Sequence, residues 1–234
     1  MASSVPARVV SGADHRGGSE VAGGLAAALR PPFARLADLL APHQPKLPLI
    51  NLSLGEPQHA VPDFVGPALA RHIAEFGRYP IAKGIAPFRE AASAWLQRRF
   101  ALSRAPDPDS EVLVLNGSRE GLFLAALAAA RFVAPRSDPA ILMPNPFYPA
   151  YGAGARAAGC EAVLLRTTRA SGFLPDLDAI EESVLARTVA FYLASPANPQ
   201  GAVASPDYLA RVKALADRHG FIVLADECYS EIYT

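Results

Sequence analysis

An α/β fold built on a largely parallel sheet is what this sequence predicts, and three observations predict it. From Glu111 onward, short apolar runs recur: EVLVL (111–115), PAILM (139–143), EAVLL (161–165), VAFYLA (189–194) and FIVLA (221–225). Helical segments stand between most of them, the alternation expected of strand–helix–strand units. The runs are apolar throughout rather than alternating, as in strands covered on both faces.

The elements before Glu111 read as peripheral helices. PPFARLADLLA carries proline in its first turn, where the missing N–H costs nothing. DFVGPALARHIAEF (63–76) and PFREAASAWLQRRF (87–100) have amphipathic periods, and LINLSL (49–54) reads as a short strand ending at Gly55. The opening 1–30 shows neither period and is expected to be a flexible tail. Residues 31–100 then form N-terminal helices and part of a small domain, and 101–234 an incomplete larger domain.

Composition narrows the function. The chain has 234 residues, 51% hydrophobic and 19% charged, which is the profile of a folded globular protein. Lys plus Arg and Asp plus Glu are both 22, so no basic surface for nucleic acid is implied. The two cysteines, Cys160 and Cys228, form no CxxC pair, and the five histidines show no ligand spacing, so no metal site is expected. No apolar run approaches a membrane span, and the opening residues lack a secretory core, so a cytoplasmic location is expected. Cys228 is expected to be a small buried residue rather than a nucleophile.

Polar residues gather where the apolar runs end. FIVLA leads into Asp226, Glu227, Cys228 and Tyr229, placing a carboxylate and a phenol where open parallel sheets bind ligands. A carboxylate after four apolar residues needs a cationic or hydrogen-bonding partner. NGSREG (116–121) follows EVLVL and opens a helix, so Gly117 permits close backbone approach, and the N–H groups of Ser118 and Arg119 form a phosphate cradle. PNPFYPAY (144–151) holds aromatic rings in a proline-restricted turn, with Tyr148 a candidate stacking surface. SPANPQG (195–201) presents the Asn198 amide from a turn flanked by prolines. Gly152, Gly154 and Ala157 nominally fit the dinucleotide fingerprint of an oxidoreductase, but they do not directly follow a strand, which argues against it.

In this order, NGSREG, PNPFYPAY, SPANPQG and ADECYSEIY resemble the class I/II aminotransferases, pyridoxal-phosphate enzymes of fold type I. The likeness runs from about Leu49 to Thr234. It implies an aspartate-aminotransferase-like three-layer sandwich with a mostly parallel sheet, here truncated, whose larger domain binds pyridoxal 5'-phosphate. By that resemblance Gly117, Ser118 and Arg119 hold the cofactor phosphate and Tyr148 stacks on the ring. Asn198 and Tyr229 share the phenolate oxygen, and Asp226 faces the pyridine nitrogen. Gly55 in LSLGEP meets a substrate carboxylate, and Tyr79 reaches the neighbouring subunit's phosphate, implying a homodimer in the intact protein.

Two departures accompany the resemblance. The family's N-P-x-N-P-T-G signature has Ser195 in place of its first Asn and Gln200 in place of Thr. The family's Schiff-base lysine lies beyond the Asp and Tyr segment, and only Lys46, Lys83 and Lys213 are present. The chain is therefore expected to be an N-terminal fragment without catalytic residues of its own and inactive alone. For the parent, the resemblance implies amino transfer between an amino acid and a 2-oxo acid. The segments look most like succinyldiaminopimelate aminotransferases of bacterial lysine biosynthesis, which pair N-succinyl-diaminopimelate with 2-oxoglutarate. Aspartate or aromatic aminotransferase, or a lyase of the same fold, is the alternative. A ligand-sensing regulator is disfavoured, because no DNA-binding domain fits before Leu49.

Overall fold

The computed structural model describes residues 32–43, 45–48, 50, 55 and 59–232. The expected tail 1–30 and the expected strand LINLSL lie outside them, apart from Ile50. The chain divides into two compact units between Ile73 and Ala74.

The first unit contains helix α1 (Pro32–Leu40) and helix α2 (Val65–Arg71). Pro32 opens α1 at the position where proline's missing N–H is tolerated. The single helix expected over 63–76 instead closes at His72, and a 3₁₀ turn, Ile73–Gly77, follows. No residue of α2 is buried, so no packed face extends it beyond two turns.

The second unit is organised by a four-stranded, all-parallel sheet in the order β2-β1-β3-β4, from β1 (Ala140–Asn145), β2 (Glu161–Arg166), β3 (Thr188–Ala194) and β4 (Ile222–Asp226). Four of the five apolar runs are therefore strands. Helices α3 (Ala86–Phe100) and α4 (Ser118–Phe132) precede the sheet in sequence, and α5 (Pro149–Ala157), the single turn α6 (Glu182–Leu185) and α7 (Pro206–His219) connect its strands. Ser205 caps α7 by accepting the Tyr208 N–H, and Gly220 closes it in the left-handed conformation, a proline-to-glycine helix with both ends satisfied.

Side-chain alternation gives the sheet two apolar faces. Ile141, Met143, Ala190 and Tyr192 pack with Ala126 and Ala129 of α4 and Tyr151 and Ala155 of α5. Leu142, Phe191 and Leu193 face the other way, against Leu185 of α6 and Val212 of α7. The result is a helix–sheet–helix sandwich. The contact of α4 with α5 explains the glycine decoy: a Cβ on Gly154 would lie 2.9 Å from the Phe123 carbonyl oxygen and 3.0 Å from Ala126. Gly152 and Gly154 sit inside a helix, serving close packing rather than a nucleotide turn.

Burial separates the central strands from the outer ones. Every residue of β3 is buried, as are the first five of β1, whereas β2 is mostly exposed and β4 only half-buried. The expectation that all the runs are buried on both faces is thus corrected for β2 and β4, which form the two edges of the sheet. EVLVL is corrected further, because residues 111–115 join no strand. The Val114 N–H donates to the Lys83 carbonyl instead of a ladder, and Leu113 and Leu115 are exposed. β-propensity gives a strand only where a neighbour pairs with it, and among the described residues none does here.

Helix α3 is another departure. Its buried residues are Arg89 and Ser93, while Phe88, Trp95 and Phe100 are exposed, so the expected apolar face does not pack. Arg89 donates to the carbonyls of Gly84 and Pro108 and to the Asp109 carboxylate at 2.7 Å, and Ser93 donates to the Pro106 carbonyl at 2.5 Å. Hydrogen bonds, which a buried guanidinium requires, fasten 84–109 as a polar clasp.

Candidate active site

The parallel sheet places the carboxyl ends of its strands on one edge, the position where open α/β sheets bind ligands. β1 delivers Asn145 and the segment Pro146–Tyr148, β3 ends at Ala194 before the 195–201 loop, and β4 ends at Asp226, paired in register with Ala194. The N-terminus of α4 opens on the same edge. Its N-cap Gly117 has φ +114°, a region in which a side chain is strained, and Glu120 in the first turn accepts the Asn116 N–H at 3.2 Å.

A cavity of about 190 Å³ lies there. Ser118, Tyr148, Asn198, Asp226 and Tyr229 all line it, so five residues singled out from sequence meet in one cavity. Gly117 and Arg119 flank Ser118 in the chain. Arg119 turns its side chain to the aromatic segment, donating from Nε to the Tyr148 hydroxyl at 2.7 Å. Tyr79 is fully exposed and does not line the cavity, and Gly55, also exposed, belongs to the unit that ends at Ile73.

Asp226 has the hydrogen-bonding partners its position demands. Tyr151 donates its hydroxyl to Oδ2 at 2.5 Å, and the Cys228 N–H donates to Oδ1 at 3.2 Å. Tyr151 is held in turn by Tyr192, whose ring stacks on it at 4.2 Å between centroids and 5° between planes. The Tyr192 hydroxyl donates to the Leu122 carbonyl of α4. Both rings are almost wholly buried, at 1% and 0% exposure. Burial first, and the Asp226 carboxylate second, push the Tyr151 phenol far above its ordinary range; burial alone pushes Tyr192 up to about 12. Both are neutral donors at physiological pH.

The opposite wall is looser. Asn198 donates from Nδ2 to the Tyr229 hydroxyl at 3.2 Å, and both residues are exposed. Cys228, expected to be buried, is exposed beside Asp226 because β4 ends there and the chain turns outward. Its thiol is raised, chiefly by desolvation and next by a hydrogen bond to Asp226, so it is a protonated group rather than a nucleophile.

Sequence reasoning gave no role to Tyr151 or Tyr192. Tyr151 stands three residues after Tyr148, on the helix that follows the aromatic turn, and Tyr192 is the one polar-tipped residue in VAFYLA. A phenol inside a buried strand needs an acceptor, which was the available signal.

Lys83 donates to the Asp109 carbonyl at 3.0 Å and Lys213 pairs with Asp217 at 2.5 Å; neither lines the cavity. Among the described residues no cluster of His, Cys, Asp and Glu could hold a metal ion, and no helix is long and apolar enough to cross a membrane.

Comparison with known proteins identifies the family. Residues 48–234 match the family described as aminotransferase class I and II. The chain is 36% identical over 203 residues to the LL-diaminopimelate aminotransferase of Moorella thermoacetica, covering 86% of this chain and 50% of that protein. It is 37% identical over 186 residues to the enzyme of the same name from Syntrophobacter fumaroxidans, covering 79% and 46%. Among solved structures it is similar to an aminotransferase from Neisseria meningitidis, with TM-score 0.80 and 36% identity over 91% of this chain and 54% of that one. Aminotransferase AspB from Helicobacter pylori gives 0.79 and 33%, over 88% and 53%. The chain spans about half the length of the curated relatives it matches. It belongs to the class I and II aminotransferases, a pyridoxal-phosphate-dependent family.

Proposed function

We propose that the protein carrying this chain transfers an amino group between an amino acid and a 2-oxo acid with pyridoxal phosphate, and that residues 101–234 supply its cofactor-binding domain. The observation that carries the reading is the Tyr151-braced carboxylate of Asp226 at the end of β4, lining one cavity with Ser118, Tyr148, Asn198 and Tyr229.

The donor and acceptor count fits such a cofactor. A carboxylate has about four lone-pair sites, and Tyr151 and the Cys228 N–H take one each, leaving Asp226 able to accept from a ring N–H. Asn198 has a second amide proton, and Tyr229 its hydroxyl proton, to offer a phenolate oxygen. Ser118 begins a 15-residue helix whose first N–H groups and positive dipole end suit a phosphate.

When bound, the cofactor supplies an electron sink for the carbon from which a proton is removed. Asp226 is assigned to hold the ring nitrogen's proton: opposite charges about 4 Å apart attract by about 4 kcal/mol at an effective dielectric of about 20. Asn198 and Tyr229 are assigned to the phenolate, Tyr148 to the ring face, and Gly117, Ser118 and Arg119 to the phosphate. Gly55 is assigned to a substrate carboxylate. Fully exposed Tyr79 is assigned to the partner's phosphate in a homodimer.

The substrate we propose has a diaminopimelate skeleton. The NGSREGLF, PNPFYPAYGAGA and SPANPQGAV segments support the N-succinyl form, and the relatives' names support free LL-diaminopimelate. The test is amino transfer by the whole protein from each amine to 2-oxoglutarate, read as glutamate formed. Glutamate from one of them, dependent on added pyridoxal phosphate, is expected. Glutamate from aspartate or an aromatic amino acid, but from neither diaminopimelate, refutes the substrate assignment; none from any amine refutes the transfer.

A further inference from the structure

Asn198 is exposed, and its hydrogen bond to Tyr229 is 3.2 Å long, so the amide's aim depends on the loop that carries it. That loop is pinned at both ends, at its start through the backbone and at its far end through side chains. At its start the Ser195 N–H donates to the Asp226 carbonyl at 3.1 Å, and Ser195 Oγ accepts the Ala204 N–H at 3.0 Å. At its far end Gln200 donates from Nε2 to Thr167 Oγ1 at 3.1 Å, and the Thr167 hydroxyl donates to the Asn145 carbonyl at 2.8 Å. Between the pins the Gly201 N–H donates to Ala197 and the Ala197 N–H to Ala202, closing a tight turn with Gly201 at φ +71°.

Asn145 ends β1 and leads into the Tyr148 segment, whereas Asp226 ends β4. The two pins therefore fasten the Asn198 loop to the strands that feed the other two parts of the cavity wall. Ser195 and Gln200 are the two positions at which SPANPQG departs from the family signature. Gln200, reaching farther than threonine, meets the strand-β2 side through Thr167. We propose that Gln200 and Thr167 are positioning residues that aim the Asn198 amide, an inference resting on the cofactor reading above. A threonine hydroxyl has one proton and two acceptor lone pairs, so Thr167 links the two segments: its proton goes to the Asn145 carbonyl and its oxygen accepts from Gln200.

The experiment titrates the 234-residue chain with pyridoxal phosphate, following affinity and the absorption band of the bound probe. Thr167→Val, which keeps the shape and loses the hydroxyl, and Gln200→Ala each weaken binding about fivefold, the worth of one hydrogen bond. Combined, they weaken it no further than either alone, because they break one link. Thr167→Ser restores the parent affinity. In an Asn198→Ala background neither change has any effect, and Thr167→Val moves the absorption band in the same direction as Asn198→Ala. Parent-like affinity and band in Thr167→Val, or an equal loss with and without Asn198, overturns the proposal. Absence of saturable binding by the unsubstituted chain refutes the cofactor reading instead. Positioning is then read from exchange of the Asn198 side-chain amide protons, about fivefold faster in Thr167→Val and unchanged in Thr167→Ser; an unchanged rate in Thr167→Val overturns it.

Discussion

The two walls of the cavity are built to different standards. On one, Asp226 is braced by Tyr151, which is stacked on Tyr192, which is bonded to Leu122 of α4; both rings are buried in the core. On the other, Asn198 and Tyr229 are exposed, joined by one 3.2 Å bond and aimed by loops. The difference tracks what each wall stands on. The first is an extension of the packed face between the sheet and helices α4 and α5, where displacement leaves voids. The second rests on hydrogen bonds open to solvent, which contribute modestly. A fixed carboxylate beside a more adjustable amide and phenol suits a site that holds one end of a ring firmly.

The sharpest way to break the comparison is from beneath. Tyr192→Ala removes the buried ring that stacks on Tyr151, and a loss of about 3–5 kcal/mol is expected, the range for deleting a large buried aromatic. Urea unfolding checks it, and a loss below about 1 kcal/mol would place the brace outside the core. Next comes Asp226→Ala, which leaves the Tyr151 phenol without its acceptor. A stability loss of about 1–3 kcal/mol is expected, with pyridoxal phosphate binding weakened about ten- to a hundredfold.

Asn198→Ala probes the looser wall. About fivefold weaker cofactor binding is expected in the same titration, with unfolding changed by less than about 0.5 kcal/mol because the side chain is exposed. A stability loss as large as that of Asp226→Ala would erase the contrast between the walls.

The smallest effect belongs to the exposed clasp outside the site. Glu111 accepts from both Arg104 amino groups, at 2.6 and 2.7 Å, and from the Asp107 N–H, and the Arg104 bond chiefly holds its carboxyl down at about 2. A depressed carboxyl contributes stability that is present above the ordinary carboxylate range and lost as pH falls toward 2. Glu111→Gln is therefore expected to lower the melting temperature slightly at neutral pH, where the ionised carboxylate is paired, and to flatten the acid limb, so that the two profiles converge as pH falls toward 2. A difference between the two proteins that stays the same from neutral pH down to pH 2 would contradict the assignment.

Much of the sheet was legible because its four strands are short apolar runs bounded by turns, and period alone finds such runs. EVLVL carries the same signal and is not a strand, since pairing depends on a neighbour that local sequence does not contain. Edge and centre were equally hidden: FIVLA and VAFYLA are alike in composition, yet β4 is half-buried and β3 wholly buried. In α3, Arg89 and Ser93 are the buried residues, an inversion that only the carbonyls of 84–108 explain.

The site was legible where polar residues interrupt apolar runs. Asp226, Asn198 and Ser118 announce themselves at the ends of runs, and five such residues line one cavity. The bracing tyrosines were not, because Tyr151 reads as one more ring near prolines and Tyr192 as one more apolar-run residue. Their partnership joins positions 41 and 34 residues apart from each other and from Asp226 along the chain, a coincidence that only folding reveals.

The central claim is that Asp226, held by Tyr151, is the cofactor's charge partner. Its most direct measurement is the pH dependence of pyridoxal phosphate absorption on the 234-residue chain and on Asp226→Asn, reading the proton on the ring nitrogen. Retention of that proton to higher pH on the parent than on Asp226→Asn is predicted. Identical titrations of the two, with cofactor bound to both, would contradict the account.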